Sequence, residues 1–181
     1  MKKTMLIAAG CLMALTSAVK SEEIKAFQAS LTPEIAVQSR DTVIEGVSLN
    51  IWGENPQHGF ALGFVNGSTG DSVGFMWGLV NYAENYTGVQ WSLLNYTSGD
   101  FIGWQNGFIN VVEGASIGFQ SGVGNYAGTL TGLQLGLINY AENAHNGVQV
   151  GLVNVIGSNE SWFGNCCNEV APVMVLVNWG F

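Results

Sequence analysis

The octet Gly132-Leu133-Gln134-Leu135-Gly136-Leu137-Ile138-Asn139 decides how the rest of this chain is read. It returns as Gly147-Val148-Gln149-Val150-Gly151-Leu152-Val153-Asn154, so the pattern is Gly, apolar, any, apolar, Gly, apolar, apolar, Asn. Earlier copies begin at Gly118, Gly103, Gly88, Gly74 and Gly59 and end at Asn125, Asn110, Asn95, Asn81 and Asn66. A weaker copy begins at Gly46, with Gly53 where Asn is expected, and a last one runs from Ala171 to Asn178. Successive starts lie 13, 15, 14, 15, 15, 14 and 15 residues apart, then 24, which makes nine copies. A fixed short period is the mark of a repeat fold.

Each copy reads as one strand and one turn. Leu133, Leu135 and Leu137 alternate with Gln134, Gly136, Ile138 and Tyr140, and alternation of this kind places successive side chains on opposite faces of a strand. Between copies lie Gly67-Ser68-Thr69-Gly70-Asp71, Ala83-Glu84-Asn85, Thr97-Ser98-Gly99-Asp100 and Ala141-Glu142-Asn143, all rich in residues that accept tight-turn dihedrals. No helical spacing is sustained after Asp41. The fold class is therefore all-β, with residues 41–181 as one repeat domain interrupted at 155–170.

Residues 1–18 have the form of an export signal: Lys2 and Lys3, then an uncharged apolar run from Met5 to Thr16, then Thr16-Ser17-Ala18, with cleavage as late as 21 compatible. The run is too short for a spanning helix, which needs about 20 residues. Residues 19–40 form a lead-in. The chain carries a net charge of −8 with only five Lys and Arg, and none of these follows Arg40. That excludes the basic patches that bind nucleic acid or anionic lipid.

Two architectures accommodate such a repeat. In an antiparallel meander the strands reverse and the turns alternate between two ends. In a parallel β-solenoid of ~15-residue coils, each copy stacks on the last, its Asn residues form a ladder and its glycines mark corners. The turns show a two-copy rhythm. Glu54, Glu84, Glu113 and Glu142 fall in odd turns, Asp71 and Asp100 in even ones. Asn81-Tyr82-Ala83-Glu84-Asn85 recurs four copies later as Asn139-Tyr140-Ala141-Glu142-Asn143. This favours the meander, closed as a small outer-membrane β-barrel whose strands of about 10 residues cross the bilayer tilted. Phe60, Leu62, Phe64, Phe75, Trp77 and Leu79 would then face lipid, Gly and Gln would line the lumen, and Tyr82, Tyr96, Tyr126 and Tyr140 would form interfacial girdles. The odd copy number and the parity of Asn and Phe181 favour the solenoid instead.

The octets at 103–110, 132–139 and 147–154, with the ending Val177-Asn178-Trp179-Gly180-Phe181, resemble a family of bacterial surface-repeat proteins found in spirochaetes and other Gram-negative bacteria. The likeness covers about residues 35–181 and implies an exported protein of the outer membrane or cell surface, with no catalytic residues to carry over. Ser92, Asn106 and Ser121 depart from the pattern. The terminal strand ending in Trp179 and Phe181 also resembles the assembly signal of Gram-negative outer-membrane proteins. The partners so implied are outer-membrane lipid, the barrel-assembly machinery and a surface ligand of unknown identity.

Cys166 and Cys167 are an adjacent pair, open to a strained vicinal disulfide or to remaining thiols. Only His58 and His145 could join them at a metal, and both lie in turns. No nucleophile–base pattern, phosphate loop or zinc spacing is present. The expectation is a non-enzymatic protein without cofactor or metal, with a structural role at the surface or, in the solenoid alternative, an adhesin-like binding role; a barrel that binds or conducts small molecules is a third reading, disfavoured by the Gly-lined, narrow lumen it would have.

Overall fold

The computed structural model describes residues 23–160, 162–163 and 168–181. The expected export signal, Cys166 and Cys167 lie outside the described residues. Among the described residues eleven strands are present: β1 Ile24–Thr32, β2 Ile35–Ala36, β3 Val43–Glu54, β4 His58–Trp77, β5 Val80–Trp91, β6 Leu94–Thr97, β7 Phe101–Asn106, β8 Ile109–Ser121, β9 Gly124–Leu135, β10 Ile138–Ile156 and β11 Val173–Gly180.

The pairing corrects the barrel expectation. β3, β4, β5, β8, β9 and β10 join in sequence order by parallel ladders, with β6 and β7 bridging β5 and β8. Among the described strands β11 pairs with β10 alone and does not meet β1, so no barrel closes. The protein is a solenoid of stacked coils, one repeat per coil. Register follows the repeat: Asn81 faces Asn95, Asn110 faces Asn125, and Gly88 faces Gly103.

The alternation inferred from the sequence breaks once in each octet. At Leu93-Leu94 two consecutive side chains point outward, 61% and 37% exposed, because the chain turns a corner there. Parity resets, so Asn95 points inward although an unbroken strand would turn it out. For the same reason Ile138 and Tyr140 are exposed rather than sharing the inner face of Gln134.

The opening glycine is required by geometry in the octets from 59–66 to 132–139, whereas Gly147 has no positive φ. Gly74, Gly88, Gly103, Gly118 and Gly132 have φ between 124° and 142°, where a side chain is strained. A Cβ at Gly103 would also lie 2.0 Å from the carbonyl oxygen of Gly88 in the coil before.

The centre of the stack is polar. Asn50 donates through Nδ2 to Asn66, Asn66 to Asn81, and so on through Asn95, Asn110, Asn125 and Asn139 to Asn154, at 2.8–3.1 Å. The second amide hydrogen of most rungs meets a backbone carbonyl, as Asn110 does at Ser121. A second ladder runs the other way: Gln149 donates to Gln134, Gln134 to Gln120, Gln120 to Gln105 and Gln105 to Gln90, at 2.7–2.8 Å. Apolar residues fill the remaining space, among them Met76, Tyr86, Phe101, Val112 and Leu130. The rings of Tyr86 and Phe101 stack at 6.4 Å.

Both outermost copies depart from the coil pattern. At Gly53 the missing amide is supplied by Asn50, whose side chain occupies the space a Cβ at Gly53 would take. The Ala171–Asn178 copy is no coil: β11 runs antiparallel, Asn178 lies opposite Gln149, and its amide bonds the Ala171 carbonyl.

Asn110→Ala would leave the Asn95 donor and the Asn125 acceptor buried and unpaired. The expected loss is about 3 kcal/mol of stability, measured by urea unfolding, against less than about 0.5 kcal/mol for a surface change such as Ser98→Ala.

Candidate functional site

None of the seven octets from 59–66 to 147–154 contains a charged residue. Between Glu54 and Asn154 every acid falls in the connecting segments. Because the coils stack in register, this division in sequence becomes a division in cross-section. One side of the solenoid is uncharged along its length and the other carries the acids.

On the uncharged side the outward positions form continuous rows. The second position of the octet contributes Phe60, Phe75, Val89, Trp104, Phe119 and Leu133, with ring pairs Phe60–Phe75 and Trp104–Phe119 at 6.3 and 6.1 Å. The fourth contributes Leu62, Trp77, Trp91, Asn106, Ser121 and Leu135. The sixth, at the corner, contributes Phe64, Leu79, Leu93, Phe108 and Leu137, all exposed. The residues expected to face lipid in a barrel therefore do point outward, but from a solid stack instead of a hollow one, and Gln fills the interior instead of lining a lumen.

The opposite side is built from tyrosines and acids. Tyr82, Tyr96, Tyr126 and Tyr140 do not form girdles at two ends; they stand along one side, with Tyr126 and Tyr140 stacked at 5.5 Å and nearly parallel. Tyr96 donates to Glu113 at 2.8 Å and Tyr126 to Glu142 at 2.6 Å. Tyr82 crosses the face of Gly67 to donate to Glu54, which also pairs with Arg40. Burial, then the hydrogen bond to Glu54, pushes Tyr82 up to about 12; the hydrogen bond to Glu142 is the main cause that holds Tyr126 at about 12. Tyr96 is raised by its bond to Glu113.

The acids explain the two-copy rhythm. Asp71 lies beside Asn85, whose amide donates to it at 2.9 Å, and the Asn85 oxygen accepts from the Asp100 N–H. Glu84 accepts from the N–H of Gly70. Each acid type recurs only every second coil, so carboxylates do not stack on one another at one strand spacing. Alternation of turn type reflects charge separation along one side, not two ends of a meander.

The other residues singled out by sequence are spread apart. His58 is exposed, with Nε2 3.3 Å from the Asp71 carbonyl and Nδ1 3.8 Å from Glu45; His145 is exposed in the segment before Gly147. Trp179 and Phe181, expected to mark barrel assembly, belong to the antiparallel cap, where the Phe181 N–H meets the Asn168 carbonyl. Sequence reading did not find the Arg40–Glu54–Tyr82 group, whose members lie in three different coil positions. Among the described residues no helix is long and apolar enough to cross a membrane. No protein-family model, curated protein or solved structure matches the chain.

Tyr126 is neutral when it donates, so a raised folded value stabilises the protein fully below the unfolded tyrosine value near 10 and loses that contribution as pH rises toward about 12. Spectrophotometric titration of folded protein should lose part of its tyrosine component near 12 in Glu142→Gln, where the carboxylate acceptor of Tyr126 is gone.

Proposed function

We propose that this chain is an exported, non-enzymatic surface protein whose solenoid lies with its uncharged side against the lipid of the outer membrane and its Tyr–acid side toward water. The absence of charge from all seven octets carries the reading. Monomeric proteins do not usually expose contiguous apolar rows of this extent, and such surfaces mark interaction sites. The repeat-family resemblance points to the same location. A solenoid satisfies its backbone between coils, so the sheet faces present side chains and no unpaired amide edge, which is the condition for contact with hydrocarbon.

Attachment of this kind rests on apolar burial. Side chains such as Phe64, Leu93, Phe108 and Leu137 contribute about 2 kcal/mol each when immersed, and a few of them hold the protein at an interface. With no Lys or Arg after Arg40, attraction to anionic headgroups adds nothing. The alternative role, a soluble adhesin-like module, would keep the same rows dry against a protein ligand.

Purified protein mixed with phosphatidylcholine vesicles should float with them in a density gradient, equally at low salt and at 1 M salt, about where electrostatic attachment is screened out. Leu93→Glu with Leu137→Glu should leave the fold intact and the protein at the bottom. Wild-type protein that stays at the bottom would reject the lipid reading in favour of the soluble module.

A further inference from the structure

The three departures from the repeat, Ser92, Asn106 and Ser121, cluster in space on the uncharged side. Ser92 lines a groove of about 590 Å³ that runs along the stack between the fourth and sixth octet positions, and Asn106 lies beside its Trp91, with Ser121 one coil further. Its floor is the backbone of Gly63, Gly78 and Ser92; Trp77 and Trp91 form one wall, and Phe64, Leu79 and Leu93 the other. The two tryptophans are 56% and 45% exposed, so the wall stands open to a ligand. Asn50 closes the far end, with its amide nitrogen given to Asn66 and its oxygen turned onto Gly53.

The opposite end changes character within one coil. In the row that supplies Trp77 and Trp91, the next two residues are Asn106 and Ser121. Trp104 Nε1 donates to Ser121 Oγ at 3.0 Å, and Ser121 Oγ donates to Asn106 Oδ1 at 2.7 Å. This chain fixes the orientation of the Asn106 amide and leaves its nitrogen without a hydrogen-bond partner among the described residues. A channel of apolar walls thus ends, three strand spacings or about 14 Å from Gly63, at a neutral hydrogen-bond donor.

We infer that this groove binds the acyl chain of a single neutral or zwitterionic lipid, with the tail between Trp77 and Leu79 and the linkage oxygen at the Asn106 amide. The inference rests on the lipid-surface reading and names the partner of that side. An unbranched chain matches a groove that extends along the stack and has no charged lining. A neutral head matches both the amide donor and the acidic balance of the protein, which repels a free carboxylate. Ser92 fits as a floor residue because its hydroxyl turns inward to the Asn95 oxygen at 2.8 Å and leaves the floor apolar.

The test is titration of the whole protein with monomeric myristoyl lysophosphatidylcholine, read by tryptophan fluorescence and calorimetry. One saturable site per chain is expected. Trp77→Glu should weaken binding more than about tenfold, since a buried carboxylate meets the tail. Asn106→Leu should weaken it about fivefold, the value of one hydrogen bond, and Asn106→Gln should restore part of that loss. Thermal melts confirm that the variants fold; Trp77→Ala replaces Trp77→Glu if that one does not. Non-saturating uptake, unchanged affinity in all variants, or saturable binding of a β-glucan oligosaccharide in place of the lipid would overturn the groove assignment. Vesicle flotation read in parallel separates the two ideas: flotation without lysolipid binding rejects the groove alone, and loss of both rejects the surface reading as well.

Discussion

A parallel stack in register brings each side chain against its own copy, about 4.8 Å away, and every other property of this protein follows from that constraint. Only residues that bind themselves can recur in every coil. A carboxamide can, because it carries both donor and acceptor; Asn and Gln therefore hold the two central columns. Aromatic and aliphatic side chains can, by stacking and packing. A carboxylate cannot, and here Glu and Asp each recur only in every second coil, with Asn85 placed between Asp71 and Asp100. The low charge content is a consequence of the architecture before it is a feature of any ligand.

The two amide ladders point in opposite directions. Asn donates toward the C-terminal coils and Gln toward the N-terminal ones. Chains of hydrogen bonds polarise in the direction of donation, so the two columns offset each other's dipole across one core. Filling the interior with carboxamides has a second effect. The large apolar residues that an ordinary core would consume remain for the surface, and Trp77, Trp91, Phe108 and Leu137 are outside because Gln and Asn are inside. A polar core and an adhesive exterior are two aspects of one sequence pattern.

Much of this was legible in the octet. The period, the strand-and-turn composition, the outward direction of Phe, Trp and Leu, and the Asn ladder as a solenoid property all follow from residue type and spacing. The architecture departs from the sequence expectation at one point: the alternation of Glu84, Asp100 and Glu113 reads as alternation of ends but arises within one side of the stack. Spacing along the chain cannot separate those causes, because avoidance of like charges and reversal of direction produce the same rhythm. The parity of Asn was informative, since two adjacent apolar residues, as in Leu93-Leu94, mark a corner that a continuous strand lacks. Asn50 was beyond reach because it substitutes for Gly53 from three residues away, by side-chain direction and not by register. The polar break at Asn106 and Ser121 was visible as a departure, but its meaning required knowing that Trp91 lies beside it.

The ends show how such a stack is made finite. An in-register coil is a template for another, and exposed templates aggregate. At the N-terminal end β1 adds to the sheet and folds back through β2. At the C-terminal end the chain reverses, and β11 meets β10 antiparallel, so the register that repeats Gly, Gln and Asn no longer continues. Asn178 sits opposite Gln149 yet gives its amide to the Ala171 and Asn154 carbonyls. Among the described residues Gln149 Oε1 is left buried without a donor, as is Asn50 Oδ1 at the other end. Each ladder therefore stops on an unmatched acceptor beneath a cap, a local cost of about 1–3 kcal/mol. A further in-register coil would satisfy those acceptors. The caps accept that cost and stand at the places where such a coil would stack.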